Sequence, residues 1–159
     1  DPLYGRGYPA ATLAQVGAAA PLVMPGDLEA IAAPTDFLGV NYYFPETIAS
    51  APGHAPLGAQ VLAPAGVPTT ALGWEVAPQG MTELLLRIEN DYHPGPMYIT
   101  ENGSCYDDVV QADGTVDDTG RRHYLMRHLG AMKEAIAAGA PVKGYFAWSL
   151  IDNFEWSPR

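Results

Sequence analysis

The sequence predicts an α/β fold, a parallel sheet covered by helices, and three features indicate it. Three short apolar segments, 37–44, 97–100 and 142–150, have the composition of buried strands. A segment with helical periodicity lies between the first and second of them, and another between the second and third. Each strand ends among polar and aromatic residues. This alternation of strands and helices is typical of parallel strands joined by right-handed crossovers.

The central predicted strand, 97–100, carries a candidate functional residue. It follows the breaker Pro-Gly-Pro at 94–96 and ends at Glu101, and the turn formers Asn102 and Gly103 come next. Parallel α/β folds place their chemistry at the C-terminal ends of buried strands. Glu101 is therefore a candidate catalytic carboxylate, and the alternative is that it only caps a loop.

The outer strands end in the same way. The segment 37–44 is almost continuously apolar, which predicts burial on both faces, and Asn41 is its only strongly polar member. Asn41 and the tyrosines at 42 and 43 lie at its C-terminal end. The third strand, 142–150, is followed by a second polar and aromatic group. The residues at this end are Trp148, Asp152, Asn153, Glu155 and Trp156.

Two amphipathic helices join the strands. The first presents one apolar face, formed by Met81, Leu84, Leu85, Ile88 and Tyr92. The second, 119–138, has a predicted apolar face of Leu125, Leu129, Met132 and Ile136. Asp118 is its candidate N-cap, and Gly139 is placed to end it. The acidic loop before this helix, 107–118, suggests calcium, but a solvated loop with a helix cap explains the same residues.

The remaining segments are less patterned. Residues 1–9 are turn-rich, and 10–20 predicts a short helix that Pro21 ends. Asp27 is a candidate N-cap for one further turn of helix. The stretch 49–77 is rich in Ala, Pro and Gly without a clear period, which predicts a long functional or flexible loop.

The composition excludes several function classes. The net charge of −10 and the isoelectric point near 4.5 argue against binding to nucleic acid or to an anionic membrane, since both need a basic face. No apolar run approaches the roughly 20 residues that span a bilayer. Cys105 is the single cysteine, so no internal disulfide forms, and we expect a reducing, cytoplasmic location. The histidines show no ligand spacing, and we predict neither a metal nor a cofactor.

Two architectures fit the predicted strand order, an open doubly wound sheet and part of a (β/α)8 barrel. No Gly-rich phosphate turn follows any strand, which disfavours the nucleotide-binding open sheet. Three strands cannot close a ring, since a whole barrel takes about 250 residues. A carboxylate surrounded by Asn, Tyr and Trp suits a sugar, and glycoside hydrolysis uses two carboxylates.

The sequence resembles glycoside hydrolase family 1, the β-glucosidase family of retaining enzymes on a (β/α)8 barrel. The resemblance covers nearly the whole chain and corresponds to the C-terminal part of the barrel, about three strands with their helices. The matching segments are 1–9, DFLGVNYY at 36–43, WEVAPQGM at 74–81, YITENG at 98–103, Arg121, Tyr124-Leu125, His128-Leu129 and GYFAWSLIDNFEW at 144–156.

The resemblance implies roles for individual residues. Glu101 matches the nucleophile that forms the covalent glycosyl-enzyme intermediate. Tyr43 matches the tyrosine that donates a hydrogen bond to the nucleophile and orients it, and Asn41 matches a polar residue that lines the sugar site. Trp74 and Glu75 either brace their loop or face the aglycone.

The last matching segment implies the glycone contacts. Trp148 resembles the platform under the sugar ring, and Glu155 and Trp156 match the residues that hold the glycone hydroxyls. An acidic residue at 155 would repel phosphate, so an unphosphorylated β-glucoside or oligosaccharide is the expected substrate. Asp152 and Asn153 are expected to stabilise the turn after the third strand.

The sequence also departs from the family pattern. The family's acid/base glutamate lies in an Asn-Glu-Pro motif, and no such motif occurs here. We therefore expect residues 1–159 to be a C-terminal fragment of a single barrel domain, inactive by itself. The complete protein is expected to hydrolyse terminal non-reducing β-D-glucosyl residues. The alternatives are a non-catalytic sugar-binding homologue and a scaffold made from a barrel fragment.

Overall fold

The computed structural model describes residues 1–54 and 57–153. Its helices and strands, in chain order, are α1 (Ala10–Val16), α2 (Asp27–Ile31), β1 (Leu38–Asn41), β2 (Thr47–Ser50), β3 (Ala59–Leu62), α3 (Pro78–Tyr92), β4 (Met97–Asn102), α4 (Thr119–Ala137) and β5 (Val142–Ala147). They fall into two compact units. The first comprises Asp1–Thr35 and Glu46–Ala63, and the second comprises Asp36–Pro45 and the chain from Pro64 onward.

The first unit contains the two short helices and an antiparallel hairpin. Strands β2 and β3 pair from Thr47 opposite Leu62 to Ser50 opposite Ala59. The prediction of a long functional or flexible loop over 49–77 was therefore wrong for the part up to Leu62, because main-chain pairing formed a hairpin without a strong side-chain pattern. The N-cap of α2 is Gly26 rather than Asp27, whose carboxylate instead accepts a hydrogen bond from the N–H of Met24 at 2.7 Å.

The second unit confirms the predicted parallel α/β arrangement. Its three-stranded sheet has the order β1-β4-β5, and both pairs of strands are parallel. The strand bounds differ from the prediction in one respect that matters for the site. The strand was predicted to end at Glu101, but β4 continues to Asn102, so the carboxylate belongs to the second-to-last residue of the strand.

The core of this unit lies between the sheet and its helices, and β4 is its centre. The buried core residues are Val40, Tyr42, Met81, Leu85, Met97, Ile99, Ala135, Ala140 and Val142. The prediction that β1 is buried on both faces was wrong, since Val40 is buried while Gly39 and Asn41 are exposed. The predicted burial of the third strand also fails, because only Val142 of β5 is buried. Alternate residues of these strands face away from the helices.

The two long helices differ in how well their buried faces were predicted. Helix α3 buries Met81 and Leu85 completely, as expected. Helix α4 buries a different stripe from the predicted one, formed by Tyr124, His128, Ala131 and Ala135. The predicted Leu129 and Ile136 are 40% and 43% exposed. Small alanines bring α4 close to α3, where Thr82 donates a hydrogen bond to the carbonyl of Ala131 at 2.9 Å.

The ends of α4 are set by local contacts. Asp118 occupies the N-cap position, but its side chain makes no capping hydrogen bond. The carboxylate of Asp117 accepts from the N–H of Thr119 at 3.2 Å instead. Gly139, with a φ of 111°, follows the helix and ends it as predicted. None of the helices among the described residues combines the length and the apolar character needed to cross a membrane.

Candidate active site

A β-bulge in β4 determines the direction of Glu101. Asn41 on β1 and Phe146 on β5 each lie opposite the two residues Thr100 and Glu101, because the register shifts on both sides of β4 at this point. In a regular strand, Ile99 and Glu101 would point to the same face. The extra residue places Glu101 away from the helix-covered face that Ile99 occupies, as bulges beside active sites commonly do.

Glu101 is held by a neighbour on the adjacent strand segment. The phenol of Tyr43, two residues beyond the end of β1, donates a hydrogen bond to Oε2 of Glu101 at 2.8 Å. The main chains are joined as well, since the N–H of Tyr42 donates to the carbonyl of Glu101 at 2.9 Å. This hydrogen bond orients Oε2 of the carboxylate, and no described residue makes a hydrogen bond to the other oxygen, Oε1.

Glu101 and Tyr43 open onto a cleft of about 690 Å³, a size typical of small-molecule sites. The cleft is bounded by the chain that follows β1, β4 and β5, by the segment between β3 and α3, and by the start of α4. Its lining includes Tyr43, Leu72, Trp74, Glu101, Cys105, Tyr106, Arg121, Trp148, Asp152 and Asn153. Three of the predicted site residues, Tyr43, Glu101 and Trp148, are thus brought together.

Trp148 lines this cleft and is 45% exposed. Its N–H donates to the carbonyl of Asn102 at 2.9 Å, which continues the β4–β5 pairing to the end of the sheet, and its peptide bond to Ser149 is cis. A Cβ at Gly103 would collide with the carbonyl oxygen of Trp148. Only glycine therefore allows the loop after Glu101 to pass this close to Trp148.

Two of the loop predictions have a clear structural outcome. Trp74 packs against Tyr43 and Phe44, with ring centroids 5.5 Å and 4.9 Å apart, and also lines the cleft. It therefore braces the tyrosine and faces the cleft at the same time. Asn153 accepts a hydrogen bond from the hydroxyl of Ser149 at 2.9 Å, which supports the expected turn role.

The structure does not bring every predicted residue to the cleft. Asn41 is exposed, accepts a hydrogen bond from Thr100 Oγ1 at 2.7 Å, and is not among the residues that line the cleft. Glu155 and Trp156 lie outside the described residues. The sequence pattern could not show that Tyr43 lines the cleft and Asn41 does not, because both lie near the end of the same strand.

Arg121, which the sequence offered only as part of a matching segment, organises one wall of the cleft. Its guanidinium donates to the carbonyl of Ser104 at 3.2 Å and to the carboxylate of Asp108 at 3.1 Å, and it also pairs with Asp118. The hydrogen bonds and charges of Asp118 and Asp108 raise the pKa of Arg121. These contacts hold the loop after β4 against the start of α4. No cluster of His, Cys, Asp and Glu in the described ranges is arranged to hold a metal ion.

A buried polar network lies beneath Glu101, and the sequence did not indicate it. Asn102 Nδ2 donates to the carbonyl of Tyr42 at 2.7 Å and to the phenol of Tyr124 at 3.0 Å. The phenol of Tyr145 donates to Asn102 Oδ1 at 2.7 Å. Burial raises the pKa of Tyr145 to about 12 and that of Tyr124 further, so both phenols stay neutral donors at neutral pH. The sequence predicted Asn102 to be a turn former, because it follows the predicted strand. That prediction gave no sign of the buried hydrogen bonds that Asn102 makes.

Comparison with known proteins identifies the setting of this cleft. The family description "Glycosyl hydrolase family 1" matches residues 1–158. The chain belongs to this family. The predicted partial (β/α)8 barrel is thereby confirmed, and the described strands of this family member do not close a ring.

Individual family 1 relatives show the same extent of match. β-Glucosidase A of Thermotoga maritima is 40% identical over 157 residues, which are 99% of this chain and 35% of that protein. A 1,4-β-D-glucan glucohydrolase of Thermotoga neapolitana is 39% identical over 99% of this chain and 36% of its own length. The structure of the T. maritima β-glucosidase in complex with deoxynojirimycin superposes with a TM-score of 0.89 at 40% identity, covering 98% of this chain and 34% of that one. The chain thus spans about a third of the length of the relatives that it matches.

Proposed function

We propose that this chain is the C-terminal part of a retaining β-glucosidase, in which Glu101 is the nucleophile. The observation that carries the proposal is the carboxylate of Glu101 at the C-terminal end of the central strand, held by Tyr43 and facing a cleft of ligand size. Family membership and the names of the relatives support β-glucosides as the substrate class.

The geometry suggests how the first step proceeds. Tyr43 holds Oε2 of Glu101, so Oε1 attacks the anomeric carbon of the sugar. The new bond between Oε1 and the anomeric carbon forms as the glycosidic C–O bond breaks, and a second carboxylate gives its proton to the leaving oxygen. Water, deprotonated by that second group, then displaces Glu101 and releases the sugar with retained configuration.

The second carboxylate is assigned to a part of the barrel outside this chain. Family 1 enzymes carry it in an Asn-Glu-Pro motif, and residues 1–159 contain no such motif. We therefore propose that activity belongs to a complete barrel in which residues 1–159 provide the nucleophile side of the cleft. An Asn-Glu-Pro motif encoded upstream of Asp1 is the corresponding expectation.

The sugar is proposed to rest against Trp148. Its indole is 45% exposed and lines the cleft beside Glu101, and a flat apolar ring suits the C–H face of a pyranose. Glu155 and Trp156 are proposed to hold the glycone hydroxyls. The related T. maritima structure with deoxynojirimycin, a sugar-like inhibitor, supports small glycosides as ligands.

Replacing Glu101 tests the proposal directly. In the complete protein that contains this chain, Glu101→Gln keeps the size of the side chain and removes the nucleophile, so kcat for an aryl β-glucoside should fall by about a thousandfold or more. Glu83→Gln, an exposed carboxylate on α3, is the matched control and should keep the wild-type rate.

Two outcomes of this experiment contradict the proposal. Unchanged turnover in Glu101→Gln would show that another group is the nucleophile. A wild-type protein that binds glucosides but never hydrolyses them would favour a non-catalytic sugar-binding homologue.

A further inference from the structure

The buried hydroxyl group of Tyr124 makes hydrogen bonds to two residues next to Glu101, Asn102 and Tyr43. The phenol oxygen of Tyr124, on α4, accepts a hydrogen bond from Asn102 Nδ2 at 3.0 Å and donates one to the main-chain carbonyl of Tyr43 at 3.1 Å. Asn102 directly follows Glu101 on β4, and Tyr43 donates to the carboxylate itself. Tyr124 is therefore linked to Glu101 in two ways, through Asn102 and through Tyr43.

We propose that Tyr124 and Asn102 are positioning residues for the nucleophile Glu101. Three hydrogen bonds hold the side chain of Asn102 on the helix-covered face of the sheet. They thereby preserve the bulge that directs Glu101 into the cleft. Tyr124 makes one of the hydrogen bonds that hold Asn102. It also holds the main chain of Tyr43, so that the phenol of Tyr43 stays within hydrogen-bond distance of Glu101. The inference rests on the proposed function, because positioning has a kinetic consequence only if Glu101 attacks a sugar.

Because this network is buried, water cannot replace a lost hydrogen bond, and its side chains must keep their positions. Asn102 is completely buried and Tyr124 is 1% exposed, and neither is among the residues that line the cleft. Asn102 uses both amide hydrogens and its carbonyl oxygen, the last bound by Tyr145. Removing one partner leaves a buried donor or acceptor of Asn102 unpaired, and the strand end must shift to satisfy it.

A shift of this kind affects chemistry more than binding. A misplacement of a reacting group by about 1 Å lowers a rate by roughly a hundredfold, because the productive approach geometry is lost. The contacts that hold the sugar, on Trp148 and its loop, do not involve the hydroxyl of Tyr124. We therefore expect the rate of nucleophilic attack to fall while the affinity for the sugar stays the same.

The chain offers a matched control for the loss of a buried hydroxyl. Thr82 on α3 is 7% exposed and donates to the carbonyl of Ala131 on α4 at 2.9 Å. Thr82→Val removes this hydroxyl at constant shape, as Tyr124→Phe does for the phenol. Thr82→Val loses one buried hydrogen bond and Tyr124→Phe loses the two that its hydroxyl makes, but only the bonds of Tyr124 lead to residues in contact with Glu101.

The experiment uses the complete protein and an activated 2-deoxy-2-fluoro-β-glucoside, which attaches to the nucleophile and is released slowly. The rate constant of labelling should fall about tenfold or more in Tyr124→Phe, with the concentration for half-maximal labelling unchanged. Thr82→Val should label at the wild-type rate, and melting temperatures confirm that both variants are folded. Mass spectrometry of the labelled peptide locates the attachment at Glu101.

The possible results separate this inference from the proposed function. Wild-type labelling rates in a folded Tyr124→Phe variant would overturn the inference and leave Glu101 as the nucleophile. Absence of label on Glu101 in the wild-type protein would overturn the proposed function, and the inference with it. If Tyr124→Phe does not fold, Tyr145→Phe removes the bond to Asn102 Oδ1 instead, and an unchanged labelling rate there contradicts the proposal.

Discussion

At the scale of single residues, His128 shows how a polar side chain can serve packing alone. It is completely buried and stacks on the ring of Tyr124, with centroids 3.9 Å apart. Its Nδ1 donates to the carbonyl of Tyr124 at 2.8 Å, and its Nε2 has no hydrogen-bond partner among the described residues. Burial lowers the pKa of His128, and the charge of Arg127 lowers it further. The folded protein therefore favours the neutral form of this imidazole.

This burial predicts a pH dependence of stability. Because the pKa of His128 is lower in the folded state than its value of about 6.5 in the unfolded chain, the unfolded state binds more protons below that value. The free energy of unfolding should therefore decrease as the pH falls from 7.5 to 5.5. His128 contributes to this decrease because its buried imidazole is harder to protonate in the folded state than in the unfolded chain.

Urea unfolding of the complete protein at the two pH values measures this contribution. His128→Gln should lose less stability over the interval than the wild type does. His123→Gln, an exposed histidine on the same helix, is the control and should follow the wild type. Equal pH dependence in wild type and His128→Gln would contradict the assignment.

At the scale of secondary structure, the central strand and the second long helix use glycine in opposite ways. Gly103, after β4, is required by space, since a Cβ there would collide with the carbonyl oxygen of Trp148. Gly130 lies in the middle of α4, and a Cβ there would have no heavy atom within 4 Å. The first glycine permits the close approach of two strand ends, whereas the second only weakens a helix.

The two glycines therefore predict opposite effects of the same substitution. Gly103→Ala should lower the free energy of unfolding by about 1–3 kcal/mol and reduce kcat, because the neighbouring backbone must move. Gly130→Ala should raise the free energy of unfolding by about 0.5–1 kcal/mol, because alanine restricts the unfolded chain and favours the helix. Chemical denaturation of the complete protein measures both, and a tolerated Gly103→Ala would show that the strand ends can separate freely.

At the scale of the whole molecule, the sheet of the second unit is covered on one face. Its outer strands, β1 and β5, are edge strands within the described residues. Phe37 and Phe146 are 52% and 58% exposed, and Leu129 and Ile136 on α4 are also exposed. Exposed apolar side chains and unpaired parallel strands favour association with further chain.

This arrangement predicts the behaviour of the polypeptide 1–159 by itself. It should associate into oligomers in size-exclusion chromatography with light scattering. It should not turn over an aryl β-glucoside, because the mechanism proposed above needs a second carboxylate that we assign to another part of the barrel. The complete protein, analysed in parallel, should be monodisperse and active. A stable, monodisperse 159-residue monomer would favour the barrel-fragment scaffold, and turnover by it would contradict the two-carboxylate mechanism.

The sequence by itself determined the order of strands and helices in the second unit, the family, and the location of Glu101 and Tyr43 near strand ends, because periodicity, turn residues and short motifs are local properties of the chain. Only the tertiary structure decided which face each side chain takes. The bulge at Thr100 and Glu101 depends on the register of two neighbouring strands. The buried stripe of α4 depends on close packing against α3 rather than on the largest apolar residues, and Asn102 gained its role from partners distant in sequence. Pairing and packing join residues that are far apart in the chain, and no local pattern records them.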